Sequence, residues 1–319
     1  MSAPAIPIEK APAAKSPWSP FGLFSGIQSY RKSLGLTNPG TVEMINKEQK
    51  NTFLTNYFFE GARADLTKVL SPNFQVTHTL SLATGGAPSS YSFAAVYAGP
   101  EFLIHGTVDN DGMLQSRVHY SWTPSLLTKA QMLFMNGQGQ NMLQAEADYQ
   151  GADYSINLKA VNPSPTDNTG IYAANYLQSI TKRLAVGAET VLEKPPMGEE
   201  RTRTALLARY DAGDSIGTLQ WQGTDALHAT YYQKVSDKVE VGAELQVSTE
   251  SADRRGAIYS IGAKYEFRQA AFRGLIDSAG KVSAVLEEKM APGFSFLMTA
   301  EVDHMKGQNK VGLGLALES

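Results

Sequence analysis

The chain has no cysteine, which excludes disulfides and thiolate metal sites. It has no run approaching the ~20 apolar residues of a membrane-spanning helix. Charged residues are scarce, at 18% of 319, where a soluble domain carries about 25%. Met1 to Lys10 lacks the basic-then-apolar order of a secretory signal. The net charge is only −3, and the basic residues are scattered, so no nucleic-acid footprint is present. The five histidines, His78, His105, His119, His228 and His304, show no His-Glu-x-x-His or similar spacing. There is no Gly-x-Ser-x-Gly elbow and no Walker-type loop, and Gly137-Gln138-Gly139 reads as a turn. No catalytic residue, metal site or cofactor is expected.

What the chain does have, from Gly61 onward, is a period of two. Segments of about ten residues recur up to residue 318, separated by turn signals such as Asp109-Asn110-Asp111-Gly112, Asp211-Ala212-Gly213-Asp214 and Ser278-Ala279-Gly280. Each segment has the length that spans a bilayer at a tilt. In 238–248, Val239, Val241, Ala243, Leu245 and Val247 share one face and Glu240, Gly242, Glu244 and Gln246 the other. In 294–304, Phe294, Phe296, Met298, Ala300 and Val302 oppose Ser295, Thr299, Glu301 and Asp303, with Leu297 an exception. The count is about nineteen strands. An open sheet of that size is unusual, and only closure removes its edges. The fold class is therefore all-β, a transmembrane up-and-down β-barrel, with residues 60–319 forming the wall. A large soluble β-protein also alternates, and remains the rival from another class. An odd count pairs the first and last strands in parallel, near Ala62–Leu66 and Val311–Leu317, and parallel pairing is slightly weaker per residue.

Residues before the wall differ. Residues 1–20 are rich in Pro, Ala and Ser and read as a disordered tail. Residues 21–59 read as a helical segment entering the lumen. Ser19-Pro20 can start a helix through Phe21, Phe24 and Ile27, with Gly35 as a stop. Asn38-Pro39-Gly40 is a turn signal, and Thr41 can cap a second helix through Val42, Ile45 and Gln49.

Several blocks carry a family resemblance. Leu36 to Thr41, Phe53-Leu54-Thr55-Asn56-Tyr57-Phe58-Phe59-Glu60-Gly61-Ala62-Arg63-Ala64-Asp65-Leu66-Thr67-Lys68, and Gly262-Ala263-Lys264-Tyr265-Glu266-Phe267-Arg268 with Phe272-Arg273 resemble the channel-forming subunits of the mitochondrial outer-membrane protein translocase, of fungal type. The last strand, read as Lys310, Gly312, Leu315 and Leu317, resembles the C-terminal sorting signal of mitochondrial outer-membrane barrels. Nineteen strands also match the mitochondrial anion channel, whereas single-chain bacterial barrels are even-numbered. The resemblance implies a barrel of nineteen strands in the mitochondrial outer membrane, with an N-terminal segment threading the pore. It implies transport of unfolded precursors with presequences. It also implies as partners a single-span receptor, small helical subunits and a second copy of the chain. A metabolite pore of the anion-channel type is the alternative function.

Extending the alternation turns Asp65, Asp109, Glu146, Asp148, Glu189, Glu240, Glu244, Glu266, Asp277, Glu287, Glu301 and Asp303 inward. Opposing them are Arg63, Arg117, Lys129, Lys159, Arg203, Arg209, Lys234, Lys264 and Arg273. A presequence is Arg-rich and amphipathic, so acids along a pore offer it several weak, screened attractions. Asp65, Asp109, Glu146, Asp148, Glu240, Glu244, Asp277, Glu287, Glu301 and Asp303 are the candidate substrate-binding residues, with Glu287 expected beside Glu301 and Asp303. The plainer reading is that these acids solvate the lumen and pair with bases across strands. Leu103, Leu177, Leu207, Leu275 and Leu297 also point inward, to hold apolar cargo or to pack the N-terminal helix.

Overall fold

The computed structural model describes residue 31 and residues 34–55, 57–82, 89–135, 141–164, 167–223, 225–249 and 256–319. The tail 1–20, the helix expected through Phe21, Phe24 and Ile27, and the turn at Gly137-Gln138-Gly139 lie outside the described residues. The wall consists of β1 Gly61–Ser71, β2 Phe74–Leu82, β3 Ser90–Ala98, β4 Phe102–Asp109, β5 Leu114–Thr123, β6 Leu126–Phe134, β7 Met142–Gln150, β8 Tyr154–Ser164, β9 Thr169–Ser179 and β10 Leu184–Lys194. It continues through β11 Arg201–Asp211, β12 Ser215–Trp221, β13 Ala226–Ser236, β14 Val239–Ser248, β15 Gly256–Glu266, β16 Ala270–Asp277, β17 Lys281–Ala291, β18 Phe294–Asp303 and β19 Gln308–Glu318.

Each strand pairs antiparallel with the next, and β1 closes on β19 in parallel, from Gly61 opposite Gly312 to Thr67 opposite Glu318. Closure gives every strand two neighbours, so no edge is left to lipid. Odd-numbered strands all finish at one rim, here the C-terminal rim. Registers place Arg63, Ser81, Gly314 and their same-face neighbours on one side of the wall, and Ala64, Leu80 and Leu315 on the other. The outer side exposes large apolar side chains, including Leu66, Val118, Leu219, Ile261, Met298 and Leu313. Aromatic pairs flank turns of the C-terminal rim on that side: Tyr97 with Phe102, Tyr120 with Trp122, Tyr149 with Tyr154, and Tyr265 with Phe267, at centroid separations of 4.5–6.0 Å. A girdle of this kind sits at a membrane interface, where rings are half in hydrocarbon and half in water.

The second N-terminal helix departs from the sequence expectation. A 3-10 turn, Val42–Met44, is followed by a separate short helix, α1, Lys47–Thr52. Thr41 makes no side-chain cap bond. Asn46 breaks the run at φ −115° and ψ 27°. Tertiary contacts override the local pattern: Ile45 packs on Leu177, Ala185 and Leu207, and Arg209 Nη1 donates to the Ile45 carbonyl at 2.6 Å. The stop expected at Gly35 falls on a left-handed residue, φ +60°.

Candidate functional site: the barrel lumen

The inner face of the wall is largely covered on one arc by the N-terminal segment. The segment meets the C-terminal rim first. Arg31 Nε donates to Asp153 at 2.7 Å, and Asn38 donates to the Gly151 and Tyr154 carbonyls at 2.7 and 3.0 Å. Ser179 Oγ donates to the Thr37 carbonyl, and Ser155 Oγ to that of Gly40. These polar residues close the turn β7–β8 and the end of β9. They satisfy carbonyls that the irregular chain cannot satisfy by itself.

Deeper in, Glu43 reaches Lys129 at 3.3 Å and Lys159 at 3.7 Å. Glu48 forms a two-pronged pair with Arg209, at 2.9 and 3.0 Å. Burial opposes ionisation of Glu48, but the Arg209 guanidinium outweighs it and holds the carboxyl below its ordinary range. Gln49 donates to Glu244 at 2.9 Å, and His228 bonds the other oxygen of Glu244 at 2.7 Å. Phe53 then packs against the wall. An added Cβ at Gly262 would stand 2.8 Å from its ring and one at Gly242 3.2 Å from it, so glycine at both positions is what lets the ring approach the backbone.

The segment leaves toward the opposite rim. The Tyr57 ring lies under the Arg273 guanidinium at 3.8 Å. The Phe59 carbonyl accepts from Thr299 Oγ1 at 2.6 Å, and its ring covers Gly312 and Gly314. Glu60 pairs with Lys310 at 3.4 Å, one residue before β1 begins. The described residues between 31 and 60 thus contact the inner face of the barrel from one rim toward the other.

All ten candidate acids lie on the lumen face, but their settings differ. Asp148 is 1% exposed and bonded to Lys129 at 2.7 Å; Glu146 is 3.5 Å from the same ammonium, and Asn157 bridges both carboxylates. Glu244 is held by Gln49 and His228, and Glu240 lies 3.8 Å from Lys264. Asp65 accepts from Thr79 and Arg63. Asp109, Asp277 and Asp303 cap turns, accepting from the backbone N–H of Asn110, of Ala279, and of Met305 and Lys306. Glu301 accepts from Ser283 at 3.4 Å. Register corrects one expectation. Glu287 stands opposite Leu297 while Glu301 stands opposite Ser283, so Glu287 and Glu301 are four residues, roughly 13 Å, apart along the strands.

The inward leucines also divide. Leu177 and Leu207 are buried under Ile45. Leu297 backs the Phe59 ring at Gly314. Leu103 lies on the uncovered arc, half-buried. Of the sorting residues, Lys310 and Gly312 contact the segment while Leu315 and Leu317 face outward at 41% and 44% exposure. Sequence reasoning missed the segment's grip on Ser155, Ser179 and Thr299. These are ordinary polar residues on the inner face, and nothing in their spacing marks them.

The described residues hold no cluster of His, Asp or Glu able to bind a metal.

Comparison with known proteins places the chain. The pattern of the eukaryotic porin family matches residues 38–312. The mitochondrial import receptor subunit Tom40 of Neurospora crassa is 39% identical, over 93% of this chain and 87% of that protein. The Saccharomyces cerevisiae protein of the same name is 37% identical over 93% and 82%, and the human homologue 34% over 88% and 79%. A solved mutant Rh. blastica porin aligns at TM-score 0.47 and 10% identity, over 75% of this chain and 95% of that one; so weak a likeness adds nothing. The chain belongs to the eukaryotic porin family and, within it, to the Tom40 group of mitochondrial import receptor subunits.

Proposed function

We infer that the chain is the channel through which unfolded precursor proteins cross the mitochondrial outer membrane. The observation that carries this is a closed nineteen-strand wall around a polar, acid-lined lumen, on a chain of the Tom40 group. A wall of this kind lets the outer face meet lipid while the inner face stays wet. No bond is made or broken; the chemistry is repeated reversible contact.

The lumen acids supply weak attraction for a cationic presequence, and many weak sites suit transit better than one strong site. Glu301 and Glu240 are more loosely held than Asp148, and so are better placed to exchange partners with passing cargo. Leu103, on the uncovered arc, offers the corresponding apolar contact. As partners we propose precursors with presequences, a single-span receptor, small helical subunits and a second copy of the chain, with lipid around the wall.

The test is a bilayer recording in a salt gradient. Cation preference, with block by a presequence peptide that weakens as salt rises, supports protein conduction. Anion preference without peptide block supports a metabolite pore instead. Changing Glu240 and Glu301 to Gln should weaken peptide block while the barrel still assembles.

A further inference from the structure

One enclosed cation of the wall is not accounted for by the conduit. Arg273 is 6% exposed, and its Nε and Nη1 have no hydrogen-bond partner among the described residues. Glu287, its nearest acid, stays 3.6 Å from Nη1. Tyr57 takes one flat face of the guanidinium but no N–H bond. A buried donor left without an acceptor costs free energy and calls for an explanation.

Arg273 lines a cavity of about 300 Å³ just inside the C-terminal rim, under the turn β15–β16. Registers explain the hollow. Ala271 stands between Glu266 and Glu287 on the inner face, and its methyl leaves the floor low. Arg268 and Lys289 also line it. Of the two acids present, Glu266 is engaged by Lys264 at 2.5 Å. Three cations therefore face one remaining carboxylate, in a lumen where acids outnumber bases elsewhere.

We propose that this cavity binds a small oxyanion, a phosphate or carboxylate group, with Arg273 as principal donor and Arg268 and Lys289 as supporting charges. The planar guanidinium presents donors in a fork that suits such a group. Water would fill the space but leave the positive charge in place. The site is independent of the transport reading: it needs only the folded barrel with its N-terminal segment.

The test uses the full-length barrel refolded in detergent, titrated by calorimetry with inorganic phosphate and, separately, with a hexaglutamate peptide. The expected result is saturable binding at one site per barrel, weaker at high salt. Arg273→Gln should abolish it, and Arg273→Lys should keep part of it. Lys289→Gln, which leaves the Tyr57 stack intact, should weaken binding about tenfold through loss of one charged contact, and so decides the matter even if Arg273→Gln disturbs folding. Phosphate binding alone identifies a free anion as the occupant; displacement of phosphate by the peptide assigns the site to acidic side chains. Absence of saturable binding by both probes, or binding unchanged by Lys289→Gln, overturns the proposal.

Discussion

The wall from β7 to β19 and the wall from β2 to β6 obey the same alternation yet differ inside. On the first arc Leu177, Leu207, Val285 and Thr299 are almost wholly buried. On β2 to β6 no residue is buried. A barrel wall one residue thick has no core of its own, so burial requires a cover, and the described residues of the N-terminal segment cover only one arc. Lys129 at the end of the bare arc is where the two meet. The difference teaches that the same inward position does different work: Arg209 anchors the segment, whereas Arg117, also inward, faces the open channel.

The largest effect should come at the seam where the arcs join. A side chain at Gly312 would collide with Thr299 Oγ1 and the Phe59 carbonyl. Gly312→Asp should therefore abolish membrane integration with synthesis unchanged, read as loss of carbonate-resistant protein. On the bare arc, Thr107→Asp should still integrate. Equal behaviour of the two would remove the distinction.

Next is the grip of Phe53. Phe53→Ala removes a buried ring (4% exposed) and should weaken docking of the segment by about 3 kcal/mol, while strands 61–318 stay protease-resistant. Cysteines sharpen this, since the chain has none. Cysteines at Glu240, Glu244 and Gln246 should react with water-soluble maleimide, and those at Val239, Val241, Leu245 and Val247 should not. A cysteine at Gly242 should react slowly until Phe53 is also changed, whereas one at Gln115 on the bare arc should react fast in either background.

This is where the sequence was legible and where it was not. Period two placed nineteen strands, the parallel seam and the facing of residues such as Glu240 and Val241, because the side-chain direction of a strand is fixed by its backbone. The cover was not legible. Gly242 and Gly262 read as small lumen residues, and only the ring of Phe53, about two hundred residues away in sequence, gives them a role. Likewise Glu146 and Asp148 read as open acids, but Asn157 and Lys129 occupy them. Register, not periodicity, separates Glu287 from Glu301.

A smaller effect is expected at Arg209. Arg209→Gln leaves Glu48 without its partner and should loosen the segment by about 2 kcal/mol, seen as faster proteolysis near Lys47. Arg117→Gln should alter ion selectivity and leave the segment in place. The smallest effect is with pH. The Glu48 carboxyl is held below its ordinary value of 4.5, so its contribution to docking is complete above that value and is lost as pH falls through the lowered one. Segment proteolysis should rise only in strongly acidic buffer, and the rise should vanish in Glu48→Gln.

The most direct measurement is crosslinking to a precursor arrested in transit. With a photoreactive residue placed singly at Gln115 and Thr107 on the bare arc, at Glu240 and Glu301 on the covered arc, and at the outward Val118 and Ile261, the account predicts adducts from the four lumen positions and none from the two outward ones. Adducts from Val118 or Ile261 with none from the lumen would contradict it.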